Sequence, residues 1–295
     1  MAWPTLSADW LVSRRTPLEL RRRLLPVGPG RLGIAQEFVA PTEHEARLAT
    51  AHNWLASLVI RQAGAIGFRD GRGLRQIPGE RFLLYLPPGS LVRMQLGAAR
   101  VETIGISATQ PQPGFPQVAL AIPCQLEREQ ALDLQALSAI LAGSRLPDRP
   151  HESDPQHRID ADLGLPLRVR RLRGALYDHA LSPAAIGRVA REHGYAPAVL
   201  SRSFTDAYGL TPRDYLQKVR VHAAVVSLFG GLSIAHAALD SGWGDLSRFY
   251  RQFRLATGQT PGRYRAAFVH SQRRPPDPSN DRPRDPSNDR PQTVK

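Results

Sequence analysis

One cysteine, Cys124, stands in a chain of 295 residues. That excludes an internal disulfide and any metal site built from several thiolates, and it fits a reducing compartment. Lysine is almost missing too: Lys218 and Lys295 are the two in the chain, so its cations are nearly all arginine. No apolar run approaches the roughly 20 residues that span a bilayer. The start, Met1-Ala2-Trp3-Pro4, lacks the basic and then apolar layout of a signal peptide. The expectation is a cytoplasmic protein with no membrane partner.

Signals of catalysis are equally sparse. No Gly-rich phosphate loop precedes a helix, and His44-Glu45 lacks the second histidine of a zinc-protease helix. Metal-binding cupins carry a His-x-His pair with a following Glu on their strands, and none appears here. The chain therefore reads as a non-enzyme with no cofactor and no metal. His44, His52, His151 and His157 are read as surface or linker residues. Cys124 is read as a small buried hydrophobe rather than a thiol switch.

Positive charge is what the chain has in excess, with 39 basic against 26 acidic residues. The surplus is uneven: residues 163–270 hold 15 basic against 6 acidic side chains, +9 of the net +13. A basic chain is attracted to polyanions in general, and where the excess sits is the sharper clue.

Length allows about two domains. In the first half, short strands are expected over 55–61, 81–86, 92–96, 101–106 and 117–122, punctuated by Gly and Pro, a layout that suggests a small barrel or sandwich. In 81–86 the even positions Phe82, Leu84 and Leu86 are apolar, and Val92, Met94 and Leu96 repeat the pattern. A two-residue period turns these into the core and points Arg93 and Gln95 outward. Residues 126–142 switch to a helical period through Leu134, Leu137 and Leu141, which fits either a short dimer seam or packing on the barrel. The segment 144–162, rich in Pro, Asp, Arg and His, reads as a linker. At the far end RPPDPSND repeats as RPRDPSND, a polar tandem that buries no face and is expected to be disordered over 271–295.

An internal duplication organises 163–270. Gly209-Leu210-Thr211-Pro212-Arg213-Asp214-Tyr215 recurs 49 residues later as Gly258-Gln259-Thr260-Pro261-Gly262-Arg263-Tyr264, and Arg202-Ser203-Phe204 keeps that offset with Arg251-Gln252-Phe253. Upstream the offset is 48, pairing Ile186 with Ile234, Ala190 with Ala238, and Gly194-Tyr195 with Gly242-Trp243. Each copy parses as helix, Gly-containing turn, helix, a layout whose second helix can enter a major groove. Ser182-Pro183 is expected to open the first of these helices. Thr211-Pro212 opens a longer helix reaching about Leu228, with Leu216, Val219, Ala223 and Val226 inward. About 17 residues of helix span roughly 25 Å, against roughly 34 Å for one turn of B-DNA.

On these residues the stretch from Leu181 to Arg265 resembles the DNA-binding domain of AraC/XylS-type bacterial transcription regulators. The resemblance rests on Gly242-Trp243 through Phe249, Arg251 and Phe253 to Tyr264-Arg265. It implies an α+β two-domain chain. Residues 1–143 would form a cupin-like β-barrel plus a short helix that binds an effector or dimerises; this part of the match rests on Pro78-Gly79-Glu80 and Pro87-Pro88-Gly89. Residues 163–270 would form two helix-turn-helix units joined by a long helix. The implied partners are double-stranded promoter DNA, a small-molecule effector, RNA polymerase for an activator, and a second copy in a homodimer. By family position the base-facing residues are Ala198, Ser201 and Arg202 in the first unit, and Leu246, Ser247, Arg248 and Arg251 in the second. Arginine can bond guanine in bidentate fashion, serine can donate or accept, and leucine or alanine can touch a thymine methyl. Arg168, Arg170, Arg171, Arg173, Arg188, Lys218 and Arg220 are assigned to phosphates or a plain basic face, while Phe204, Phe249, Phe253, Trp243 and Tyr195 are assigned to packing. A cupin-like enzyme with an accessory nucleic-acid tether and a structural chromosome binder are the rival readings.

Overall fold

A computed structural model describes residues 5–7, 19–27, 31–109, 112–146, 149–257 and 260–266. The tandem repeat, and His151's side chain, lie outside the described residues.

The first half is an antiparallel sheet with strands β1 (Thr5–Ser7), β2 (Glu19–Pro26), β3 (Arg31–Val39), β4 (His44–Ala49), β5 (Trp54–Asp70), β6 (Gly73–Gln76), β7 (Arg81–Leu86), β8 (Leu91–Ala108) and β9 (Leu120–Pro123). The path runs β1-β2-β3-β8-β5-β7-β9, with β4 on β8 and β6 on β5. Among the described residues β1 and β9 do not pair, so the sheet is open. The expected cupin-like barrel is corrected on this point to an open antiparallel sheet. The expected strands at 92–96 and 101–106 are one long strand, β8, and four strands precede the first expected one.

That merger has a local cause. Ala98 holds a positive φ of 45°, and the ladder between β5 and β8 shifts register between Arg61 and Ala63 and again between Ala63 and Ala65. Such a bulge bends a strand without ending it and moves its side chains to the other face. Val92, Met94 and Leu96 therefore share one cluster with Ala99 and Val101, whereas Ile104, Ile106 and Ala108 line the opposite face. Facing the bulge, Gly64 has φ +74°, and a side-chain carbon there would lie 2.7 Å from the Ala99 Cα. Only glycine fits both demands.

Both faces of the sheet are buried, as the near-continuous apolar run of β7 requires. Phe82, Leu84 and Leu86 face one cluster, and Leu83 and Tyr85 face the other. Helix α1 (Leu134–Gly143), capped by the Asp133 carboxylate accepting from the Gln135 N–H, covers the second face with Leu137 and Leu141, both fully buried. Of the two roles expected for this helix, packing on the sheet is the one these residues take within the chain. Cys124 packs half-buried beside the same cluster, and burial pushes its thiol up from its ordinary value. Residues 144–162 contain the hairpin β10 (Arg145–Leu146) and β11 (Arg149–Ser153), and their end is built into the cores, with Ile159 and Ala161 buried.

The second half is helical: α2 (Leu167–Asp178), α3 (Ala185–Glu192), α4 (Pro197–Tyr208), α5 (Pro212–Phe229), α6 (Ile234–Asp240) and α7 (Leu246–Thr257), then helical residues 261–266. Leu172, Val189, Leu200, Phe204 and Val219 form one core. Val221, Ala224, Leu228, Trp243, Phe249 and Phe253 form another. Helix α5 serves both, with Val225 rather than the expected Val226 on its buried face. No described helix is long and apolar enough to cross a membrane.

Candidate nucleic-acid interface

The duplication seen in sequence recurs in the hydrogen bonds of the turns. In the first unit the Tyr195 N–H donates to the Ala190 carbonyl at 2.8 Å; in the second, Trp243 donates to Ala238 at 3.0 Å. Gly194 and Gly242 close the preceding helices at φ +68° and +79°. Forty-nine residues apart, Thr211 and Thr260 accept from the N–H groups of Asp214 and Arg263 at 3.1 and 3.3 Å. The Phe204–Tyr215 ring pair, 5.5 Å between centroids, matches Phe253–Tyr264 at the same distance. Helix starts differ between the copies. Ser233 caps α6 by accepting from His236, but the expected Ser182-Pro183 cap is not used: α3 follows Ala184 in a left-handed conformation with no side-chain cap.

In both units the second helix turns most of its aromatics inward and most of its polar residues out. On α4, Leu200, Phe204 and Tyr208 are buried, while Ala198 and Arg202 are exposed and Ser201 is half-buried at the shoulder. On α7, Phe249 and Phe253 are buried, Leu246, Ser247 and Arg251 are exposed, and Arg248 is half-buried. Trp243 is buried and Tyr195 partly so, as core residues. The outward faces are wider than the sequence reading: Val199 joins that of α4, and Tyr250 and Arg254 join that of α7. The spacing of Arg254, three residues after Arg251 and seven after Ser247, was the available signal. At the start of α7 the Asp245 carboxylate accepts from the Arg248 N–H at 2.5 Å.

Several arginines are placed differently from their expected role. Arg168, Arg170, Arg171 and Arg188 are exposed. Arg173 is instead held by Asp162, with Nη2 2.5 Å from Oδ2, and Nη1 donates to the Gly89 carbonyl at 2.6 Å. Arg220 turns inward and donates to the carbonyls of Ala180 and Ser182, each at 2.7 Å. These two are structural rather than phosphate-facing. His44 is also corrected, from a surface residue to a buried one; burial, and then Arg47, lower its pKa.

Arg93 lies on the face that alternation called outward, and that face is where the helical half docks. Glu45 pairs with Arg47 at 2.7 Å, Arg93 at 3.1 Å and Arg69 at 3.7 Å. Arg47 and Arg93 lie over Gly209, the residue that ends α4, where the negative end of the helix dipole favours cations. Nearby the Tyr177 hydroxyl donates to the Ala51 carbonyl at 2.8 Å, and the Ala51 N–H donates to His222 Nδ1 at 3.1 Å. Ala49, Ala51 and Leu91 of the sheet share one core with α2, α4 and α5. The sheet thus grips the first unit directly, and among the described residues the second unit's core contains no sheet residue.

A family model described as a helix-turn-helix domain matches residues 189–267. The chain is 29% identical over 98 residues to the HTH-type transcriptional regulator ExsA of Pseudomonas aeruginosa, a match spanning 33% of this chain and 35% of that one. It is 28% identical over 96 residues to the virulence regulon transcriptional activator VirF of Yersinia enterocolitica, spanning 32% and 35%. The match thus spans about a third of the length of these curated relatives. Among solved structures, ToxT from Vibrio cholerae is similar at 11% identity over 77% of this chain and 98% of that one, with a TM-score of 0.43. The matched helix-turn-helix domain covers both duplicated units except the start of the first, so both outward helix faces fall within it.

Proposed function

We propose that the chain is a sequence-specific DNA-binding transcription regulator, an effector-responsive activator that lays α4 and α7 into major grooves along one side of a promoter. The observation that carries this reading is the pair of matched helices, each rooted by two buried phenylalanine or tyrosine rings and each showing arginine to solvent at the same position of the repeat, Arg202 and Arg251. Ala198, Ser201 and Arg202 would read one subsite, and Leu246, Ser247, Arg248 and Arg251 the other. The exposed Arg168, Arg170, Arg171 and Arg188 would meet phosphates, which fix register without reading sequence.

The activator reading draws on the relatives, both transcription regulators by name and one of them an activator, and makes RNA polymerase a partner. The N-terminal sheet is the region for an effector or for pairing with a second copy. An effector can act only by favouring one arrangement over another, since equal affinity for both shifts nothing. The seam between the sheet and the first unit is the element through which such a preference would reach the DNA. The test is a mobility shift with the full chain on fragments flanking its own coding region. Specific retardation that falls steeply with salt supports the reading. Equal binding to all sequences would overturn it in favour of a structural chromosome binder.

A further inference from the structure

The two units are joined twice, once by α5 and once across a gap in sequence. Arg220, midway along α5, sends Nε to the Ala180 carbonyl and Nη2 to the Ser182 carbonyl, each at 2.7 Å. The residue between those two carbonyls, Leu181, is also the neighbour of Gly242: a side-chain carbon on Gly242 would lie 2.7 Å from the Leu181 carbonyl carbon and 2.9 Å from its Cα. Leu181 belongs to the loop between α2 and α3 of the first unit, and Gly242 to the turn of the second. One loop of the first unit is therefore held from the connecting helix on one side and seated on the turn of the second unit on the other.

The contact is not a by-product of the turn. Gly194 has the same place in the first unit and the same positive φ, yet a side-chain carbon there would meet nothing within 4 Å. Positive φ explains a glycine at both places, and close backbone approach is added only at Gly242. Arg220 is half-buried, and burial first, then the charge of Arg248, lowers its pKa.

Resting on the DNA-binding reading above, we propose that Arg220 and Gly242 are positioning residues that brace the two units against each other, so that the protein measures the spacing between two subsites in duplex DNA. A single helix fixes the distance between its ends but leaves bending and twisting to its own stiffness. A second attachment away from the helix axis removes that freedom. Neither residue needs to touch a base. Their effect on sequence choice comes through geometry: one inserted base pair turns a subsite by roughly 34° and shifts it about 3.4 Å, so a rigid pair of heads must distort the duplex or release one subsite.

The experiment uses the full chain and a site selected from a pool of randomised duplexes. Affinity is measured by fluorescence anisotropy for that site, for the same site with one base pair inserted between its halves, and for a duplex keeping one half alone. Wild type is expected to lose roughly tenfold or more on the insertion. Arg220→Ala, and also Arg220→Lys, whose ammonium lacks the fork that reaches two carbonyls, are expected to bind the half-site as wild type does. They should discriminate the two spacings by less than about threefold, with much of the change in dissociation rate. Gly242→Ala is expected to act the same way if it folds, and the arginine variants decide the matter if it does not. Retention of full spacing discrimination by Arg220→Ala would overturn the brace, as would an equal loss on all three duplexes, the mark of a general folding or phosphate role. A wild type that selects no sequence at all would instead remove the DNA-binding reading on which the brace stands.

Discussion

Replacing Arg173 by alanine tests how firmly the sheet holds the first unit. The guanidinium donates from Nε and Nη2 to the Asp162 carboxylate at 2.8 and 2.5 Å, and from Nη1 to the Gly89 carbonyl at 2.6 Å. Asp162 also accepts from the Tyr208 hydroxyl at 2.7 Å. Side-chain exposures of 16% and 20% put the pair in the buried regime. Removing one member of a buried pair leaves the other charge uncompensated and costs about 3–5 kcal/mol. The residual exposure and the surviving Tyr208 bond favour the lower end, about 3 kcal/mol. For a chain of this size that lowers Tm by about 6–12 °C. The assay is urea denaturation followed by Trp54 in the sheet core and Trp243 in the second unit, with Asp162→Asn and the double variant closing a thermodynamic cycle. The Trp54 transition should move to lower urea, and the cycle should give a coupling of at least about 1.5 kcal/mol. A loss below about 1 kcal/mol for Arg173→Ala, or simple additivity in the cycle, would refute the reasoning and leave the pair a surface contact.

Arg202→Ala and Arg251→Ala should each weaken specific binding by about 1–3 kcal/mol and relax base choice at one position of the site, read by mobility shift on single-base variants; a uniform loss across all sequences would reassign that arginine to phosphate. Exposed Arg170→Ala should lower the slope of log affinity against log salt by about 0.9 with little change in base preference. Phe253→Ala, emptying the core of the second unit, should cost about 3–5 kcal/mol and quench the near-ultraviolet dichroism of Trp243, leaving Trp54 in place. Four of the seven tyrosines have raised pKa values through burial, with Tyr177 pushed up to about 12 and Tyr85, Tyr208 and Tyr215 also raised. Because the fold keeps them protonated while unfolded tyrosine ionises near 10, their contribution is intact below about pH 10 and is lost as pH rises through the folded values. Tyrosinate absorbance should therefore titrate in two phases, the later one coinciding with unfolding; a single phase near pH 10 would contradict the burial.

Local patterns carried the helical half. The repeat Gly194-Tyr195 and Gly242-Trp243, with Thr211 and Thr260 after each second helix, was readable because positive φ, capping and ring packing are short-range demands that few residue types meet. The outward residues of α4 and α7 came instead from the family resemblance, position by position. The sheet was read less well. Gly97 has the look of punctuation between two strands, but beside the Ala98 bulge β8 continues, and pairing with β5 over a long register is a non-local fact.

What the sequence by itself determined is periodicity: which side chains leave the same side of a helix or strand, and hence which rings go in and which arginines come out. What lies beyond the outer side was decided only by the tertiary structure. Arg93 and Arg202 both point away from their own element's core, yet Arg93 meets Glu45 and the end of α4, while Arg202 meets water. Arg173 and Arg220 look like any other arginine of a basic helix until the chain brings Asp162, Gly89, Ala180 and Ser182 to them. Alternation fixes direction within one element, and only packing between elements supplies the partner that turns a charge into a tie.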